Sequence, residues 1–275
     1  MGYTITTFVE NCVYARKLQA EHGLSLYIEA SGYRLLFDTG ASDLFIRNAR
    51  LLHIDLQTVD YLILSHGHSD HTGGLRYFLE LNSRATVVCK REVFSPKFKD
   101  DRENGIKHTR TFEISRFRFI DDQTELVPGV FLFPFFEIVD QEDTHFERFW
   151  VQQEEGRKIP DTFQDELAVA LVDSKGLNVL SACSHRGITN ILRTIQEAFP
   201  GLSCNLVLGG FHIHNAEEQK YRVIASYLRN FLPLQIGVCH CTGVDKYAFF
   251  YRDFGERIFY NYTGRIIQTD LKNNI

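Results

Sequence analysis

The decapeptide Ser65-His66-Gly67-His68-Ser69-Asp70-His71-Thr72-Gly73-Gly74 places three histidines and one aspartate within six positions. The apolar run Tyr61-Leu62-Ile63-Leu64 just before it is typical of a short buried strand. The run from Leu75 to Leu81 after it has helical character. The sequence therefore predicts that these four side chains crowd one strand-to-helix turn.

The residue types and their spacing in this turn predict metal binding. In extended backbone, side chains two positions apart point the same way, so His66 and His68 can hold one ion. Asp70 and His71 lie one turn further on and can reach a second ion. Imidazole nitrogens and a carboxylate suit zinc, iron or manganese, and two such ions close together form a hydrolytic centre. The alternative is a histidine-rich surface loop, which the density of ligand-type residues after a buried strand disfavours.

The motif His-x-His-x-Asp-His resembles that of the metallo-β-lactamase superfamily. The resemblance implies an α/β protein built as a four-layer αββα sandwich, with two mixed β-sheets face to face and helices outside. It also implies that His66, His68 and a later histidine hold the first metal, while Asp70, His71 and a still later histidine hold the second. One or two divalent ions are expected, with zinc as the expected metal and manganese or iron as alternatives.

Two distant histidines follow predicted strands in the order that the resemblance requires. The strand from Gly176 to Ala182 leads to His185, after which an amphipathic helical pattern begins. The strand from Gln235 to Cys239 leads to His240. We therefore expect His185 to complete the first ligand set and His240 to complete the second. Taken alone, His185 is also compatible with an ordinary histidine at a helix N-terminus.

His212 and Asp38 are predicted to act beside the ligands. The superfamily is expected to place a bridging aspartate near the strand from Asn205 to Gly210, and this chain has none there. His212 is therefore predicted to be a ligand or a catalytic proton donor, with a neutral histidine held by backbone groups as the alternative. Asp70 is the other predicted catalytic residue. Asp38 is predicted to hold a ligand histidine in one tautomer, or else to cap the helix that follows it.

Length and composition indicate a single domain over residues 1–275. A 275-residue chain with 44% apolar composition can bury one substantial core. Its formal charge of −5 and pI near 6.1 give no basic excess, so nucleic acid is not an expected partner. No cationic start with a long apolar run is present at the N-terminus, and no later run approaches membrane-spanning length. We therefore expect a soluble, cytoplasmic protein that makes no membrane contact.

The six cysteines are too sparse for a disulfide framework and are expected to be mostly buried thiols. Cys239-His240-Cys241 invites comparison with a zinc site, because thiolates bind zinc tightly. Alternation along a strand would nevertheless point both cysteines away from His240, which disfavours thiolate ligands here.

Regular patterning fades between residues 92 and 161, which we interpret as an insertion that lines the substrate pocket. Within it, Thr111–Ile120 and Val130–Phe136 are predicted strands with a turn at Val127-Pro128-Gly129, and the remainder is predicted to be loops. Its basic and aromatic residues are compatible with an anionic or heterocyclic small-molecule substrate, although most are expected to form a solvated face and a local core. The chain is predicted to end in a closing strand pair between Arg257 and Thr269.

Three functions are compatible with these residues. The favoured one is a metal-dependent hydrolase, in which a metal-bound hydroxide attacks a small ester, lactone or phosphoester. The motifs around His66, His185, His212 and His240 also resemble the dihydropteroate-synthase-like branch, which includes archaeal proteins linked to joining a methyl-dihydropterin to ribofuranosylaminobenzene phosphate. That resemblance implies a pterin-type transferase, in which the metals bind a pyrophosphate leaving group and aromatic residues stack on the heterocycle. The third is a non-enzymatic metal-binding protein on the same fold.

Overall fold

The computed structural model describes residues 2–107, 112–153 and 156–269. The strands are β1 (Thr4–Val9), β2 (Ser25–Ala30), β3 (Tyr33–Phe37), β4 (Tyr61–Ile63), β5 (Thr86–Cys89), β6 (Lys97–Lys99), β7 (Arg102–Glu103), β8 (Phe117–Phe119), β9 (Thr124–Val127), β10 (Val130–Phe133), β11 (Phe149–Gln152), β12 (Lys158–Pro160), β13 (Ala168–Asp173), β14 (Gly176–Ser181), β15 (Cys204–Gly209), β16 (Gln235–Val238), β17 (Ile258–Tyr260) and β18 (Ile266–Gln268). The helices are α1 (Leu44–Leu51), α2 (Ser69–Thr72), α3 (Leu75–Leu81), α4 (Ile188–Ala198), α5 (Glu218–Phe231) and α6 (Val244–Phe254).

Two seven-stranded sheets share one plan. The first has the order β18-β1-β2-β3-β4-β5-β8 and the second the order β17-β16-β15-β14-β13-β10-β9. Each contains three antiparallel pairs at one end and three parallel pairs at the other. The parallel halves matter for function, because polar side chains that follow parallel strands meet at one edge of a sheet.

The core consists of three hydrophobic layers. Side chains from both sheets, including Ile28 and Ile63 from the first and Val169 and Leu208 from the second, form the central layer. The outer face of the first sheet packs against α1 and α3, and the outer face of the second packs against α4, α5 and α6. Each fully buried leucine, isoleucine or valine contributes about 1.5–3 kcal/mol. The predicted αββα sandwich with two mixed sheets is confirmed.

Local sequence signals account for the hairpin of β2 and β3, which turns at Ser31-Gly32. Both turn residues adopt positive φ, 52° at Ser31 and 84° at Gly32. That combination matches the right-handed twist of the flanking strands, and glycine adopts it without steric cost.

The span from residue 92 to 161 is more regular than predicted. β8 joins the first sheet, whereas the hairpin of β9 and β10 belongs to the second. The predicted turn is present, with φ of 79° at Gly129, but it joins β10 to β9 and not to the strand predicted over Thr111–Ile120. β6, β7, β11 and β12 form a third, four-stranded sheet, so the prediction of loops for the remainder is wrong. Thr111, the start of one predicted strand, lies outside the described residues. The single domain over 1–275, with an insertion at 92–161, stays a prediction.

The predicted closing strand pair is also wrong. β17 pairs in parallel with β16 of the second sheet, whereas β18 pairs antiparallel with β1 of the first sheet. The end of the described chain therefore crosses between the sheets instead of folding back on itself. In the described part of the chain, no helix has the length and apolar character needed to cross a membrane.

Candidate metal centre

Three histidines from two strand ends meet in the interior, and we call them the inner trio: His66, His68 and His185. His66 and His68 follow β4, and His185 follows β14. One ring nitrogen of each lies within 4.8 Å of those of the other two. All three rings are buried, and their Nε2 atoms have no hydrogen-bond partner among the described residues. The geometry thus brings together the three residues that the sequence assigned to one ion.

The electrostatics of the inner trio suit a cation. Burial lowers the pKa of His66, His68 and His185 well below the usual range, so the rings are neutral and each retains a nitrogen lone pair. A buried polar atom without a partner costs about 1–3 kcal/mol, so three together need a compensating ligand. Neutral imidazole is the commonest ligand of zinc and related ions. The donor set therefore fits a divalent transition metal.

A second set, the outer trio of Asp70, His71 and His240, lies beside the first. The distance between His71 Nε2 and His240 Nε2 is 3.2 Å, and Asp70 Oδ2 is 3.4 Å from His240 Nε2 and 3.8 Å from His71 Nε2. Asp70 Oδ1 has no hydrogen-bond partner among the residues described. These three side chains converge as the resemblance implied. Whether either trio holds a metal stays a prediction.

Opposite charges shape the outer trio. Burial opposes the ionisation of Asp70, but His71 and hydrogen bonds from His22 and His240 outweigh it and hold the pKa of this carboxyl well below its usual range. Burial likewise opposes the charging of His71, but Asp70 and Asp38 outweigh it and raise the pKa of the ring. The pKa of His240 falls to about 4, mainly because the ring is buried. An ion bound here would compete with a proton on His71.

Asp38 links the two trios. Its Oδ2 lies 2.7 Å from His71 Nδ1 and accepts a hydrogen bond from Ser65 Oγ at 2.6 Å, and Ser65 Oγ lies 2.9 Å from His66 Nδ1. Both histidines are thereby oriented with Nε2 toward the centre. The alternative role as a helix cap finds no contact, because Leu44 N, at the start of α1, donates to Ser42 Oγ instead.

Two acidic residues that sequence reasoning missed hold the later histidines in place. Glu166 accepts hydrogen bonds from the backbone of His185 at 2.6 Å and of Arg186 at 2.7 Å. Burial raises the pKa of Glu166 to about 7. Glu10 accepts a hydrogen bond from His240 N at 2.6 Å, although 230 residues separate the two. No local pattern in the sequence predicts a contact between residues so far apart in the chain.

A buried ion cluster supports the loop between His66 and His68. Gly67 N donates to Asp165 Oδ2 at 2.7 Å, and Asp165 is paired with Lys97 at 2.9 Å. A side chain at position 67 would be blocked, since a Cβ there would lie 2.4 Å from the carbonyl oxygen of Val93. Glycine is therefore required for the loop to pack this closely, and the sequence alone did not show why it stands there.

His212 and Cys183 lie at the same centre. The His212 ring centroid is 4.2 Å from that of His185, and its Nδ1 has no hydrogen-bond partner in the described part of the chain. Ligand atoms of Cys183, His185 and His212 lie within 4.8 Å of one another. The choice between ligand and proton donor for His212 stays open. Sequence reasoning missed Cys183, although it precedes His185 by two positions, the spacing that relates His66 to His68.

A cavity of about 680 Å³ opens onto the centre, and its wall includes His68, Asp70, His212 and His240. Of the basic and aromatic residues in the predicted insertion, Lys99, Arg102 and Phe149 line it. Phe149 is buried, with its ring centroid 5.0 Å from that of His68, and covers the inner trio. A larger cavity of about 800 Å³ lies against the third sheet, but neither trio contributes to its wall. The smaller cavity is therefore the candidate site.

Comparisons with known proteins agree with this geometry. A family model described as "Metallo-beta-lactamase superfamily" matches residues 19–163. The chain is 30% identical over 273 residues to 7,8-dihydropterin-6-methyl-4-(beta-D-ribofuranosyl)-aminobenzene-5'-phosphate synthase of Methanocaldococcus jannaschii, covering 93% of this chain and 92% of the relative.

Solved structures give the same result. Tm1679, described as a metal-dependent hydrolase of the beta-lactamase superfamily, superposes with a TM-score of 0.86 at 29% identity, covering 96% of this chain and 98% of the other. The metallo-beta-lactamase fold protein YhfI of Bacillus subtilis superposes with a TM-score of 0.59 at 11% identity, covering 98% of this chain and all of the other, which is a likeness of fold alone.

Proposed function

Because the chain belongs to the metallo-β-lactamase superfamily, we propose that it is a metal-dependent hydrolase of a small anionic ester, a phosphoester in the first instance. The observation that carries the proposal is the convergence of three unpartnered imidazole nitrogens beside the outer trio, next to an open cavity that His68, Asp70 and His240 line. A divalent metal, when bound, supplies Lewis acidity and lowers the pKa of water. We propose zinc, held by His66, His68 and His185, with a second ion at Asp70, His71 and His240.

Two cationic side chains support the choice of an anionic substrate. Lys99 and Arg102 face each other across the hairpin of β6 and β7, and both line the cavity. Neither forms an ion pair with another described residue, whereas Asp100 at the tip of the hairpin is bound by Arg148, with Nε 3.0 Å from Oδ1. Cations without an ion-pair partner at a cavity wall attract phosphate groups, and arginine can bind two phosphate oxygens at once.

His212 and Phe149 have distinct parts in the proposal. His212 presents a neutral ring beside the inner trio, since burial lowers its pKa well below the usual range. From that position it can take a proton from the attacking water and then pass that proton to a leaving group. Phe149 covers the inner trio and keeps bulk water from His68 and His185, with ring centroids 5.0 and 5.1 Å away. Exclusion of water strengthens every charge interaction in the site.

The test uses the full chain loaded with zinc or manganese and three substrates: p-nitrophenyl phosphate, bis-p-nitrophenyl phosphate and a lactone. We expect metal-dependent hydrolysis of a phosphoester. Lys99→Ala and Arg102→Ala should each raise KM about tenfold, the effect of losing a charge-assisted hydrogen bond. Arg118→Ala removes an exposed cation of β8 outside the cavity wall and is the matched control.

Three results would overturn this proposal or one of its parts. The absence of metal-dependent turnover with all three substrates would refute the proposed hydrolase activity. An increase in KM in Arg118→Ala as large as that in Arg102→Ala would refute the phosphate-binding role of the β6–β7 hairpin. Turnover of the lactone alone would contradict the anionic substrate while leaving the hydrolase in place.

A pterin-type transferase is the second candidate, because the relative from Methanocaldococcus jannaschii is named as a synthase. Against it, Phe149 is buried against His68 and does not offer a free ring face for stacking. A dihydropterin diphosphate with and without an aromatic amine acceptor separates the two functions. A transferase forms a condensation product that requires the amine, whereas a hydrolase releases phosphate or diphosphate without it.

A further inference from the structure

Cys183 lies between the two trios. Its Sγ is 3.2 Å from Nε2 of His71, a member of the outer trio. Ligand atoms of Cys183, His66 and His71 lie within 4.8 Å of one another, as do those of Cys183, His185 and His212 and those of Cys183, His240 and Cys241. One sulfur atom is therefore within reach of two members of each trio.

In the part of the chain that the structure describes, no carboxylate has this position. Among the described residues, the group that joins His66 of the inner trio to His71 of the outer trio has Cys183 as its third member. Asp70 groups with His22 and His240, on the outer side. Cys183 is fully enclosed, with 2% of its surface exposed, and stands beside the unpartnered Nε2 atoms of His66 and His185. A thiol among open metal ligands is itself a strong ligand once its proton leaves.

We propose that the Cys183 thiolate, which follows β14, is a ligand shared by the two ions and takes the bridging role that the resemblance predicted for an aspartate near the end of β15. When both ions bind, the S–H bond would break, one sulfur–metal bond would form to each ion and the proton would pass to water. This inference rests on the metal-dependent function proposed above. It adds a constraint on metal choice, because a thiolate favours zinc, iron or cobalt over manganese and magnesium.

Cys241 is the alternative thiolate and supplies the matched control. Its Sγ lies 3.7 Å from the carbonyl oxygen of Cys183, and it groups with His240 and Cys183 but with no member of the inner trio. A ligand at Cys241 would therefore serve the outer ion alone. The two cysteines are both free, so the variants can be compared under the same reducing conditions.

The experiment is X-ray absorption of the full chain loaded with two equivalents of zinc, compared with Cys183→Ser and Cys241→Ser. Zinc bound to sulfur shows a scattering shell at about 2.3 Å, clearly longer than the zinc–nitrogen shell at about 2.0–2.1 Å. A shared thiolate gives about one sulfur per zinc, and a thiolate on one ion gives about half a sulfur per zinc. We expect about one in the wild type and in Cys241→Ser, and none in Cys183→Ser.

Several outcomes overturn the proposal. These are no sulfur shell in the wild type, a shell that survives in Cys183→Ser, a shell that disappears in Cys241→Ser, or half a sulfur per zinc. The readout is metal coordination and not turnover. A protein that is inactive but shows the expected sulfur shell therefore refutes the proposed hydrolase activity and supports the shared thiolate. A protein that binds no zinc refutes both.

A second variant covers the case in which Cys183→Ser fails to fold. Cys183→Asp restores the bridging carboxylate and should change the selectivity, raising the affinity for manganese relative to zinc at least about tenfold. An unchanged manganese-to-zinc ratio of affinities would count against a shared thiolate. The same ratio measured on Cys241→Asp controls for an added carboxylate near the site.

Discussion

The inner and outer trios contain similar ligand atoms but differ in what those atoms already contact. The three Nε2 atoms of the inner trio have no hydrogen-bond partner among the described residues. In the outer trio, His71 and His240 lie 3.2 Å apart, Asp70 lies 3.4 Å from His240, and His22 lies 3.2 Å from Asp70. An ion at the inner trio breaks no contact, whereas an ion at the outer trio must break several.

Solvent exposure differs in the same direction for one member of the outer trio, Asp70, whereas His71 and His240 are as buried as the inner rings. Inner-trio rings are 0–3% exposed and are covered by Phe149 and Phe163, with the Phe163 ring stacked on His185 at a centroid distance of 3.7 Å. The Asp70 side chain is 17% exposed to the cavity. Folding has therefore already removed the inner nitrogens from water, so metal binding there adds little further desolvation cost. We expect two binding events, with the tighter one at the inner trio.

The largest effect is expected from His68→Ala. Loss of one of three inner nitrogens should weaken the first binding event more than about 100-fold, beyond the range found for losing a residue that only supports a ligand. Chelator competition and the metal-to-protein ratio after dialysis measure it. His214→Ala is the control, because this exposed histidine also lines the cavity but pairs with Asp245. An unchanged metal-to-protein ratio in His68→Ala would contradict the inner trio as a binding site.

Glu166, which accepts a hydrogen bond from the backbone of His185, should make the free energy of unfolding depend on pH. This buried carboxyl has a pKa raised from 4.5 to about 7. The folded protein therefore keeps a proton that the unfolded chain has lost, so its stabilising contribution decreases as pH rises from 4.5 through 7. In the metal-free protein, the stability advantage over Glu166→Gln should fall by about 2 kcal/mol between pH 5 and 7.5. Urea unfolding at both pH values measures this, and a pH-independent difference would contradict it.

Local patterns predicted the parts of this centre that follow directly from chain order. The histidine-rich turn and the strands before His185 and His240 are all visible in alternation and turn residues. Their meeting in one place followed from the resemblance and not from periodicity.

What the sequence did not show depends on distant contacts. Glu10 and His240 are 230 residues apart, and Cys183, although it lies two positions before His185, meets His71 across 112 residues of sequence. The closing segment was predicted as a hairpin because β17 and β18 are both short and β-like, whereas each completes the edge of a different sheet. Propensity identifies a strand but not the partner with which it pairs.

A smaller effect is expected from Asp70→Asn, which should act on the second binding event alone. The amide keeps one oxygen but loses the negative charge, so the affinity of the outer trio should fall about tenfold. The first event should be unchanged, because Asp70 does not belong to the inner trio. Titration calorimetry with zinc resolves the two events. A loss of the first event would mean that the two trios are not independent sites.

The smallest effect is expected from His22→Ala. The His22 side chain is 70% exposed, and its Nε2 lies 3.2 Å from Asp70 Oδ2. An exposed pair of this kind contributes about 0.2–1 kcal/mol, so the second binding event should weaken by no more than about fivefold. His22 nevertheless groups with Asp70 and His240 as a possible ligand. Complete loss of the second event in the same calorimetric titration would make His22 a ligand of the outer ion, because removing a supporting contact that faces solvent cannot cost so much.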